Sequence, residues 1–77
     1  MKNFIVKHNI PNIPYENLLR YESKEEALFT FDHIRIKCMG RGFSVKCFIR
    51  DDKNKPLRAT LHVEVDNFTY YAELFVQ

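Results

Sequence analysis

Few side chains in this 77-residue sequence could do covalent or metal chemistry, and their spacing is informative. Cys38, Cys47, His33 and His62 are the residues that could take a soft metal. Zinc sites draw on convergent thiolates and imidazoles at short spacings such as Cys-x-x-Cys, and no such pair occurs here. A Cys38–Cys47 disulfide is not expected either, and both thiols read as buried and reduced. His8, His33 and His62 could each act as a general base, but no neighbouring motif orients any of them. Glu25-Glu26 sits where a helix should begin, and Asp51-Asp52 in a charged turn. There is no nucleophile elbow, P-loop, dinucleotide turn or EF-hand loop, and Gly40-Arg41-Gly42 is too short to cradle a phosphate. The expectation is a non-enzyme with no metal and no cofactor.

Length and composition set the frame for these residues. A chain this short makes a single domain, residues 1–77, and buries only about 60% of the surface its unfolded form exposes. Hydrophobic content of 45%, with 14% aromatic residues and two glycines, argues against disorder. The net charge of +2 is too even to announce nucleic-acid binding, so any basic character must come from where the charges sit. No leader of signal-peptide type opens the chain, and no apolar run approaches the roughly 18 residues of a membrane span. With two cysteines, this points to a cytoplasmic setting and no membrane partner. Abundant Asn, Lys, Ile, Phe and Tyr with scarce Ala is a bias of AT-rich coding sequence, pointing to a phage, mobile element or low-GC bacterium.

Lys2 to Lys7 reads as a short strand with apolar residues on both faces, so paired and covered. The prolines of His8–Pro14 make a stiff crossing that pins Ile10 and Ile13 to apolar surface. Tyr15 to Tyr21 is ambiguous, with one or two helical turns preferred over a strand. Ser23-Lys-Glu-Glu matches a capping box and starts a helix carrying Ala27, Leu28 and Phe31 on one face. Its end has two readings. Continued to Met39, the helix gains Ile34 and Cys38 but leaves Phe29 and Ile36 together on the opposite side. Stopped near Asp32, it frees Ile34, Ile36 and Cys38 to alternate with Arg35 and Lys37 as a strand. The β-branched alternation favours the strand, closed onto Phe43–Arg50 by a Gly40-Arg41 hairpin.

That choice gives an α+β domain: an antiparallel β-meander of about four to five strands with one main α-helix packed on one face. A second hairpin at Asp66-Asn67 sets Val65 against Phe68, Val63 against Tyr70, Leu61 against Ala72, Ala59 against Leu74 and Leu57 against Val76. Pairing Ile49 with Leu57 joins the two hairpins. The open face then carries Arg35, Lys37, Lys46, Phe48, Arg50, Arg58, His62, Tyr71 and Phe75, with Arg35 directly opposite Lys46. Like charges facing each other destabilise a sheet, so this face either splays into solvent or awaits an acidic partner, with the aromatic rings as anchors.

The function this implies is a small non-catalytic binding module acting on a protein partner, an inhibitor or accessory factor of phage or bacterial origin. Nucleic-acid binding through the basic-aromatic face is the alternative, and self-association through an exposed sheet edge is a third possibility. In size and inferred plan the chain is similar to small phage-encoded inhibitors, anti-CRISPR proteins among them. No motif carries that similarity, and it assigns no residue a role.

Overall fold

The computed structural model describes residues 3–77. Five strands and one helix follow in the order β1 (Phe4–His8), β2 (Leu18–Tyr21), α1 (Lys24–Gly40), β3 (Ser44–Arg50), β4 (Arg58–Val65) and β5 (Phe68–Val76). They form one antiparallel sheet in the order β2-β1-β5-β4-β3, with α1 packed on one face. The α+β plan expected from the sequence is therefore the fold observed. β1 lies inside the sheet between β2 and β5, which is why Phe4, Ile5 and Val6 are buried on both faces; Lys2, expected in that strand, lies outside the described residues.

The main correction concerns residues 33–39, which are helix and not strand. Ala27, Phe31, Ile34 and Cys38 fall at i, i+4, i+7 and i+11, one stripe of a helix, and all four are buried. The Ser23 hydroxyl caps the start by accepting the Glu26 N–H at 3.3 Å, and it donates to the Glu25 carboxylate at 3.1 Å; among the described residues no glutamate carboxylate accepts the Ser23 N–H in return. The far end is closed by a Schellman motif, not a hairpin turn. The Phe43 N–H reaches the Cys38 carbonyl at 3.2 Å and the Gly42 N–H reaches Met39 at 3.0 Å, with Gly42 at φ 79°. Arg41 then ties this end to the β1–β2 loop by donating to the Pro11 and Asn12 carbonyls.

Two further expectations need correcting. Residues 18–21 are strand and not helix: Leu19 and Tyr21 turn towards the helix, where the Thr30 hydroxyl donates to the Tyr21 hydroxyl at 2.8 Å, while Leu18 and Arg20 turn away. Across β3–β4 the register is two residues from the expected one, Ile49 pairing with Ala59. The β4–β5 register is the expected one from Val65↔Phe68 to Ala59↔Leu74, and pairing ends at Arg58↔Phe75, one short of Leu57.

The β1–β2 loop is held by a buried histidine. His8 Nδ1 accepts the Ile10 N–H at 3.0 Å, which leaves Nε2–H to donate to the Tyr15 carbonyl at 3.1 Å, an arrangement that needs the neutral ring. Ile10 and Ile13 meet the core as expected. Cys38 is fully buried and Cys47 half-buried, both unpaired, and burial pushes both thiols up, opposed by the nearby Arg41 and Arg35 respectively.

Two stability measurements test this architecture. Gly42→Ala forces a side chain into the left-handed region and is expected to cost about 1 kcal/mol, whereas Gly40→Ala, in a helical position with open space around it, is expected to stabilise by about 0.5–1 kcal/mol. A hairpin at Gly40-Arg41 would reverse that order in urea midpoints. For the thiols, the folded chain keeps protons that the unfolded chain releases once pH passes the ordinary thiol range. Stability should therefore fall as pH rises above that range, and the fall should be smaller in a Cys38→Ala/Cys47→Ala double variant when urea midpoints are compared either side of it.

Candidate binding face of the sheet

The face turned away from α1 is built by alternate residues of all five strands. Its rows follow from the register. One runs Arg20, Ile5, Phe75, Arg58, Arg50 from β2 to β3, and the next runs Leu18, Lys7, Glu73, Thr60, Phe48. Beyond them come Tyr71, His62, Lys46 and then Thr69, Glu64, Ser44. Ile5 is only 3% exposed although no helix covers this side, being set between its cross-strand neighbours Arg20 and Phe75. Phe75 and Tyr71 are half-buried, and Phe48 stands out at 65% exposure.

The Tyr71 backbone is held in place from the β1 side. Its N–H donates to the Asn9 side-chain carbonyl at 2.8 Å, and its carbonyl accepts the Asn9 N–H at 3.2 Å, so Asn9 carries the β1–β5 pairing one residue past the end of β1. Asn17 in turn donates to the His8 carbonyl at 2.9 Å while its own carbonyl accepts the His8 N–H at 3.0 Å. Two asparagines thereby set one end of the face.

Charge is segregated onto this side. Lys7, Arg20, Lys46, Arg50 and Arg58 stand there against Glu64 and Glu73, a local excess of +3 in a chain whose total is +2. Among the described residues the ion pairs are Lys24–Asp51 at 2.8 Å and Arg35–Asp32 at 2.7 Å, and neither lies on this face. Arg50 and Arg58 are paired directly across β3 and β4. Among the described residues, the only polar contact from either guanidinium is the one Arg50 donates to the Pro56 carbonyl at 3.1 Å. Both are exposed and, with Phe48, Ile49 and Thr60, they line a shallow depression at the β3 edge.

Of the residues expected on this face, Lys46, Phe48, Arg50, Arg58, His62, Tyr71 and Phe75 are brought together there. Arg35 and Lys37 are not, because residues 33–39 are helical. Arg35 lies along α1, donating to Asp32 at 2.7 and 2.9 Å, and Lys37 is in the last helical turn. The expected Arg35–Lys46 opposition is replaced by Arg50–Arg58, which the two-residue shift in register creates. His33 lies on α1, where its ring shares a hydrogen bond with the Tyr15 hydroxyl. Lys7 and Arg20 join the face unanticipated. The signal for Arg20 was present in the alternation of Leu18 and Arg20 with Leu19 and Tyr21, and reading that segment as helix concealed it.

Chemically, a flat surface of guanidinium, ammonium and aromatic groups can hold an anion, stack on a planar group or cover an acidic surface. Among the described residues no three of His, Cys, Asp and Glu converge as metal ligands, and no helix is long and apolar enough to cross a membrane. No known family model matches the chain, and no curated protein matches it.

The Arg50–Arg58 juxtaposition should cost the fold something. Arg58→Glu is expected to raise stability by about 0.5 kcal/mol in low salt, converting a repulsive cross-strand pair into an attractive one, with the gain shrinking at high salt. Urea unfolding at two ionic strengths measures it. A loss of stability would mean that the packing of the Arg58 stem on the sheet outweighs the charge.

Proposed function

We propose that this protein is a small non-catalytic binding module that acts on a protein partner, as an inhibitor or accessory factor of phage or bacterial origin working in the cytoplasm. It lays the open face of its sheet on an acidic surface. The observation that carries this reading is the Arg50–Arg58 pair, which has no acidic partner among the described residues and is flanked by Phe48 and Phe75 on a face the fold does not need to be basic. Opposed guanidiniums without a counter-ion are a standing cost, and a partner's carboxylates would turn that cost into binding energy through bidentate pairing. Phe48 supplies the exposed aromatic anchor typical of interface hot spots. The shallowness of the face favours a broad macromolecular surface over a small substrate, and the two unpaired thiols fit a reducing compartment.

A second reading is favoured by one feature. Phe48 on β3 and Tyr71 and Phe75 on β5 stand among cations, an arrangement on which bases of a single strand could stack.

The test compares baits in a pull-down from the native host. Phe48→Ala and Arg58→Ala are each expected to cut capture of the partner by about tenfold or more, as hot-spot residues do, with circular dichroism unchanged. Capture untouched by both substitutions would place the partner on another surface. In parallel, a labelled single-stranded oligonucleotide is expected not to bind at either of two ionic strengths. Binding that collapses as salt rises would favour the second reading.

A further inference from the structure

The side of α1 facing away from the sheet has an apolar stripe of its own. Phe29, Ile36 and Met39 are 71%, 49% and 53% exposed, at a spacing of seven and then three residues, the repeat of a helix that packs on another helix. Phe29 is also held still. Its ring stacks on His33 with centroids 5.9 Å apart and planes 18° from parallel, and His33 is fixed edge-on by Tyr15, whose hydroxyl is hydrogen-bonded to His33 Nδ1. A pre-ordered exposed aromatic ring has little conformational entropy left to lose on docking.

The charges around the stripe identify what docks. Glu26 and Lys37 are eleven residues apart, close to three turns, so they lie on the same flank of the helix. Both are exposed, and neither is in an ion pair among the described residues. The acidic group is at the N-terminal end and the basic one at the C-terminal end, an order that is complementary to itself when a second helix runs antiparallel.

We infer that the outer face of α1 binds a second copy of this chain as an antiparallel helix pair about a two-fold axis passing at the level of Asp32. Phe29 of each copy lies beside Ile36 of the other, and Glu26 of each lies beside Lys37 of the other, because a two-fold axis brings like flanks together with opposite polarity. Asp32 approaches the axis already neutralised by Arg35 of its own helix at 2.7 Å. One helix pair is a small interface, so the dimer forms in the range of about 10–100 µM. It leaves both open sheet faces pointing outward, a bivalent arrangement. This inference does not depend on what those faces bind.

Sedimentation equilibrium from about 10 µM to about 1 mM tests it. The weight-average mass is expected to climb from 9.3 kDa towards twice that value, and Ile36→Glu is expected to remain monomeric throughout with an unchanged circular dichroism spectrum. Glu26→Lys and Lys37→Glu should each raise the dissociation constant by about tenfold, since symmetry counts every pair twice and leaves like charges facing. The two together should bring it back near the starting value. A monomer at every concentration, a dimer indifferent to Ile36→Glu, or a double variant no better than either single one would each overturn the assignment.

Discussion

A five-stranded sheet with one helix to cover it sets the terms for everything else in this chain. The seventeen residues of α1 are the cover for the apolar side of the whole sheet, and they approach β1, β2, β3 and β5. Phe31, Ile34 and Cys38 are buried against Leu61, Val63 and Leu74, each large aliphatic or aromatic group contributing about 1.5–3 kcal/mol by leaving water. Ala27, Ala59 and Ala72 are the only alanines in the chain, and all three are buried in this core. Where the helix does not reach, the cover fails: Ile49, on the helix side of the β3 edge, is 56% exposed. A helix ending at Asp32 would have been about half as long and would have left Leu61, Val63 and Ala72 without Ile34 and Cys38 above them.

That constraint explains why residues 33–39 are helix although their local pattern also fits a strand. Ile34, Ile36 and Cys38 alternate with Arg35 and Lys37, which satisfies a strand, and the same residues with Ala27 and Phe31 satisfy a helix in all but Ile36. The hairpin register gave no arbitration, since any alternating segment pairs apolar with apolar once its turn is chosen. Only coverage of the sheet, a property of the whole chain, separates the two. Gly42, at φ 79°, marks the end of the helix, and two glycines two residues apart do not say by themselves which of them needs positive φ.

Loop length decided how much of the sheet was legible. Asp66-Asn67 is a two-residue connection, with Asp66 at φ 54°, so the turn itself fixes the register of β4 on β5. Residues 51–57 between β3 and β4 impose no such condition. Slips of two residues preserve the faces of both strands, so hydrophobic pattern cannot choose among them, and the charge map shifted accordingly from Phe48–Arg58 to Arg50–Arg58. The site residues on β4 and β5 were therefore readable in both identity and arrangement, those on β3 in identity alone, and Arg35 and Lys37 not at all, since their place depended on the helix. Lys7 and Arg20 entered through β1 and β2, whose pairing is set by the buried His8 and the asparagines around it, details that no periodicity displays.

The sheet edges complete the division of labour between surfaces. β2 is an edge of only four residues, and β3, the longer edge at seven, carries Lys46 and Arg50 among its outward residues. Short edges and edge cations are the usual defences against strand addition, because a second β3 brought alongside would bury Lys46 and Arg50 against their own symmetry mates or close to them. The same cations that give the open face its positive excess thus make the edge unattractive to a copy of itself. The apolar surface free of such protection is on the back of α1, where Phe29 and Ile36 stand between charges of alternating sign. Strand and helix surfaces face opposite directions and carry different chemistry, so a contact made by one neither blocks nor requires a contact made by the other.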